Sequence, residues 1–171
     1  MKKSLIVTIM ALPVISFAGI SSVYAHASLA KKEAKAGKRY KGVMTISHGC
    51  KGKPTHTVRI RLPEGVQQTK PMPKPGWKLT VNKEKLAKPY DYHGRMITEE
   101  VRELVWSGGN LPNNFFDEFE FRAIMPKEAG KTLYFKTVQE CATGFHRWIE
   151  IPAPGKTRRD YKSPAPSLLL K

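Results

Sequence analysis

Thr57-Val58-Arg59-Ile60-Arg61-Leu62 alternates residue by residue, with Val58, Ile60 and Leu62 on one side and Thr57, Arg59 and Arg61 on the other. Strand side chains point to opposite faces in turn, so this period of two predicts a strand with one face on a core and one in water. Pro63-Glu64-Gly65 ends it. The same period returns in Glu118 to Met125, where Phe119, Phe121, Ala123 and Met125 share the inward face. Tyr40 to Ser47, Trp77 to Val81, Thr132 to Glu140 and Phe145 to Ile151 read as further strands. Val101 to Trp106 suits a strand or the start of a helical turn. Between these segments, Pro71 to Gly76 reads as an extended loop or edge, Gly108-Gly109-Asn110 as a turn and Tyr92-His93-Gly94 as a loop. About seven short strands with Gly and Pro punctuation predict an all-β protein, an antiparallel β-sandwich of the immunoglobulin or cupredoxin type. A closed barrel is the alternative.

Working outward, the N-terminus sets the compartment. Lys2 and Lys3 precede a mostly apolar run from Leu5 to Ile20, and Ser21-Ser22-Val23-Tyr24-Ala25 supplies small residues before a cut. That order predicts a cleaved signal peptide over residues 1–25 and a periplasmic protein with no transmembrane anchor after cleavage. A cut after Ala25 leaves His26 first; a cut after Ala27 fits the small-x-small rule equally well and discards it. One sandwich domain is expected over residues 26–152. Residues 153–171 are basic and proline-rich and read as a tail, draped over the domain or disordered.

The chain carries 30 Lys and Arg against 14 Asp and Glu, a net charge of +16. Such a surface favours anionic partners such as phospholipid head groups, anionic glycans or acidic proteins. Nucleic acid is not expected, because no base-reading or stacking motif accompanies the charge. The sequence sets no oligomeric state. Cys50 and Cys141 are the two cysteines, and in an oxidising compartment they are expected to pair. Two thiolate ligands for a soft metal are the rival reading.

No Gly-x-Ser-x-Gly, Cys-x-x-Cys, phosphate loop or His-Glu-x-x-His is present, so nothing demands an enzyme. Asp117 and Glu118 are adjacent on a strand and point to opposite faces, which suits a cap or turn better than shared acid–base work. His26 differs from the other histidines because a cut after Ala25 would give it a free α-amine beside its ring. Those two nitrogens can chelate one ion, and nitrogen ligands in a flat arrangement favour Cu(II). His48, in Ile46-Ser47-His48-Gly49-Cys50, stands where a strand ends beside the expected disulfide, which would hold its ring rigidly. His146 and Trp148 share one face of their strand, and the tryptophan is either core or a screen beside a metal. His56 and His93 read as surface residues, Trp77 and Trp106 as core, and Met72 and Met96 as packing or soft ligands.

Several short motifs occur in a fixed order. Ala25-His26-Ala27-Ser28-Leu29 is followed by Ala36-Gly37, Pro54-Thr55 before a Val-x-Ile strand, Pro63-Glu64-Gly65-Val66, Lys74-Pro75-Gly76-Trp77 and Asp117-Glu118-Phe119. With the Trp148 strand, this order resembles the YcnI-like family over nearly the whole chain after the signal. The resemblance implies an exported copper-binding β-sandwich, serving copper uptake or delivery together with another periplasmic copper protein. It further implies a Cu(II) site made by the amine and ring of an N-terminal histidine, a carboxylate and a tryptophan indole. Carried over, His26 is the chelating residue and Trp148 the indole. The carboxylate's place falls in His48-Gly49-Cys50-Lys51-Gly52-Lys53, which holds no acid, and His48 is the candidate replacement. The expected function is therefore copper storage or delivery without catalysis. Two alternatives remain: a copper-dependent oxidative enzyme with His48 or His146 as a second ring, and a non-metal module that binds anionic envelope material.

Overall fold

Strand alternation becomes two stacked sheets in the computed structural model, which describes residues 27–171. The signal segment and His26 lie outside the described residues. One sheet has the order β1–β3–β8–β5, built from Ser28–Leu29, Arg39–Ile46, Asp117–Ile124 and Gln67–Pro71. The other has the order β11–β10–β4–β7–β6, built from Phe145–Trp148, Lys136–Cys141, Thr55–Arg61, Arg95–Leu111 and Lys78–Tyr92. Pairing within both sheets is antiparallel throughout. The chain is thus the all-β sandwich that the period-two segments predict.

The expected inward faces form the core. Val58 and Ile60 of β4 lie opposite Trp106 and Leu104 of β7, and all four are fully buried. From the other sheet come Met44, Ile46, Phe119 and Phe121. Burying each such large apolar side chain contributes about 1.5–3 kcal/mol. Gly42 lies on the inner face of β3 because Phe121 occupies its side-chain space. A Cβ there would stand 2.3 Å from the Phe121 ring.

Three expectations are corrected. Residues 153–171 do not end as a tail outside a 26–152 domain. Their last part, Ser167–Leu170, is strand β12, parallel to β2 (Glu33–Ala34) and antiparallel to β9 (Thr132–Tyr134). Leu168 and Leu170 are fully buried there, and a three-leucine run behind prolines is too short to announce a strand by period. Gly108-Gly109-Asn110 is not a turn but part of β7. Ser107 pairs with Thr57 and Leu111 with Thr55, so the glycines form a bulge, and a Cβ on Gly109 would meet the Trp77 indole at 2.1 Å. Finally, the 77–81 and 101–106 segments are pieces of a hairpin of 15 and 17 residues. It turns at His93 and Gly94, both with positive φ, as two-residue primed turns require. Its outer part is largely exposed on both faces and so lacks the regular apolar period that would reveal it.

Candidate metal centre

The end of β3, the start of β4, the turn between β10 and β11 and the start of β1 gather at one end of the sandwich. The β3–β4 connection that carries His48 is fixed three times. Cys50 is disulfide-bonded to Cys141, 91 residues away, with a Cα–Cα separation of 5.8 Å. Cys50 and Lys53 also exchange both backbone hydrogen bonds at 3.0 Å across a tight turn. Its central residues, Lys51 and Gly52, have φ of 49° and 81°, the left-handed pair of a primed turn. Third, the buried Gln139 amide on β10 donates to the His48 carbonyl at 2.5 Å and to Thr55 Oγ1 at 2.7 Å. The disulfide expectation holds.

Against this fixed loop stand two residues of β11. Val138 pairs with Arg147, and Gln139 with His146, so His146 and Trp148 emerge on alternate positions of one face. Their rings stack, with centroids 5.2 Å apart and planes at 27°. His48 meets both edge-on, at 5.5 Å from His146 and 6.5 Å from Trp148. Trp148 is buried at 4% exposure, and both histidines are half-buried. Three aromatic side chains, two of them imidazoles, therefore converge at one point.

The electrostatics favour a neutral ring at His146. His48 Nδ1 lies 2.5 Å from the Gly49 carbonyl oxygen, which can only accept, so Nδ1 donates its proton there. Burial holds the pKa of His146 below the usual histidine value, and the nearby His48 and Lys51 push it the same way. Neutral imidazole is the form that ligates a metal. Among the described residues, no group of three or more His, Cys, Asp or Glu is placed to hold a metal ion.

Of the expected site residues, the structure brings His48 and Trp148 together and adds His146. His26 lies outside the described residues; the first of these, Ala27, is buried at 2% beside the same end of β3. His93 sits in the hairpin turn and Met96 pairs across it with Asp91, at the far end of β7 from this cluster. His56 contacts its neighbour Thr57 at 3.0 Å and stays apart. The role of Gln139 as the clamp on His48 is not readable in sequence. A glutamine at an inward strand position is its one local sign.

A sequence model described as "Domain of unknown function (DUF1775)" matches residues 26–170. No curated protein matches the sequence. Among solved structures, the chain is similar to an uncharacterized protein from Nocardia farcinica whose crystal structure reveals an immunoglobulin-like fold. The TM-score is 0.64 at 20% identity, over 85% of this chain and 98% of that one. At that identity the likeness speaks for the fold alone.

Proposed function

We propose that this chain, which belongs to the DUF1775 family, is an exported module that takes Cu(II) as cargo at the His48–His146–Trp148 end and stores it or hands it to another periplasmic protein. The observation that carries this reading is the pair of imidazoles 5.5 Å apart, one stacked on a buried tryptophan and the other edge-on to both. Paired ring nitrogens with no carboxylate among them are a borderline donor set, which suits Cu(II) better than magnesium or calcium. The remaining donors come from His26, which is bonded to the buried Ala27. Cleavage after Ala25 would give it a free amine as well as its ring. Cleavage after Ala27 would remove a core residue, which argues for the first site.

Each residue then has a distinct part. His26 chelates through amine and ring, and His48 offers a ring whose tautomer the Gly49 carbonyl sets. His146 supplies the facing ring, while Trp148 closes the floor and keeps water from that side. Gln139 and the disulfide hold the loop in place. A site built partly on a chain end can exchange its cargo by stepwise ligand substitution, which suits delivery better than catalysis.

The test is a Cu(II) titration of the exported protein, preceded by its intact mass. We expect a chain beginning at His26 that takes up one copper. Insertion of one alanine before His26, which moves the amine away, should weaken binding by about a hundredfold with the circular dichroism unchanged. A chain beginning at Ser28, or undiminished affinity after the insertion, would reject the assignment.

A further inference from the structure

The outer face of the β1–β3–β8–β5 sheet presents a different arrangement. Lys70 on β5 lies directly opposite Arg122 on β8, and Arg122 lies opposite Lys41 on β3. Arg39 is two residues from Lys41 and so on the same face. Like charges placed across neighbouring strands repel and are destabilising where nothing answers them. Lys41 has its answer in Glu120, at 2.7 Å. Elsewhere Arg59 is paired with Glu140 and Arg61 with Glu84. Arg39, Lys70 and Arg122 have no ion pair among the described residues, although all three line one depression of about 120 Å³. Tyr92, at the end of β6, overhangs it from the side, and no carboxylate lines it.

From this we infer an oxyanion site in which Arg39, Lys70 and Arg122 bind a phosphate group. Guanidinium forks match the oxygens of phosphate in pairs, and an ammonium adds a point charge that needs no fixed direction. Three cations suit a tetrahedral dianion better than a single carboxylate. The Tyr92 hydroxyl supplies a neutral donor at the rim. The depression opens to solvent, so the phosphate can be free or the head of a larger molecule such as a lipid. The site lies on the sheet face, built from β3, β5 and β8, and owes nothing to the imidazole cluster.

Two arms test it with the whole exported protein. Calorimetric titration with inorganic phosphate at low ionic strength reads the free anion. Sedimentation with phosphatidylglycerol vesicles, against phosphatidylcholine vesicles, reads a lipid headgroup. We expect saturable binding in at least one arm, and an Arg39→Gln/Lys70→Gln/Arg122→Gln variant should weaken it by about tenfold or more. Binding of the free anion assigns a soluble phosphate, and binding confined to phosphatidylglycerol assigns a lipid. A Lys78→Gln/Lys85→Gln/Lys156→Gln variant removes the same charge elsewhere and should bind as the parent does. Equal loss in both variants would reduce the effect to net charge and overturn the site, as would no binding in either arm. Single Arg122→Gln covers the case in which the triple variant folds poorly.

Discussion

The two ends of this sandwich bury polar groups in opposite ways. At the hairpin end, Glu100 is buried at 5% exposure and accepts from the Gln68 backbone N–H at 2.9 Å and from the Tyr90 hydroxyl. Gln68 adopts a φ of 51° at a bulge in β5, which turns its N–H from the ladder toward that carboxylate. Buried Arg102 nearby reaches the Val66 carbonyl at 3.3 Å and Glu64 at 3.1 Å. Donors and acceptors there answer one another within the chain, as a structural network does. At the other end, a disulfide and a buried amide hold the loop whose His48 ring meets His146 edge-on. The contrast is what the proposed copper site rests on.

The strongest way to break the contrast is to remove the cross-link. Cys50→Ala/Cys141→Ala opens a loop whose ends are 91 residues apart, a loss on the order of 4 kcal/mol in the chain-entropy account. Urea unfolding should show it directly. Because His48 is two residues from Cys50, Cu(II) affinity should fall as well, even under conditions where the variant is folded. Unchanged affinity in the folded variant would mean that the loop needs no lock and that the cluster is not preorganised.

Glu100→Ala is the matching cut at the other end. It leaves the Gln68 N–H and the Tyr90 hydroxyl without their buried acceptor, at a cost of about 2 kcal/mol. The Tyr90 hydroxyl pKa, pushed up to about 12 mainly by burial and then by Glu100, should fall but stay above the ordinary tyrosine value. Ultraviolet titration reads that shift. Copper affinity should not change, and a large change would show the two ends to be coupled.

Much of this was legible in the residues, and what was not has physical causes. Val58 and Ile60, and Phe119 through Met125, announce their faces because each strand has one dry side and one wet side. The outer hairpin has no dry side, so Lys83 to Lys88 carry no period. Strand β12 is hidden because Leu168 and Leu170 are buried by β2 and β9, contacts across more than thirty residues that no local window contains. At the site, His48 and Trp148 could be singled out by type and by the cysteine beside the loop. Their meeting with His146 depends on the register of β10 against β11 and against β4, which is a property of the fold. The row of Arg39, Lys70 and Arg122 is likewise invisible until three distant strands lie side by side.

The smallest expected effect is also the one that discriminates most finely. In the unfolded chain His146 titrates near ~6.5, and in the folded protein burial and the neighbouring His48 and Lys51 hold it lower. Between those two values the unfolded chain binds more protons, so stability rises with pH across that window. The contribution is complete above the ordinary histidine value and is lost as pH falls through the window toward the folded value. Urea unfolding of the metal-free protein at pH 5 and pH 7.5 should therefore show a loss on acidification, and His146→Gln should show a smaller one. The hairpin end supplies the control, since Tyr90 titrates far above this range and Tyr90→Phe should leave the difference as it is. An equal loss with His146→Gln would place the acid sensitivity elsewhere and remove the argument that the His146 ring is kept neutral by its surroundings. A reduced loss would place part of the acid sensitivity at His146, as its burial predicts.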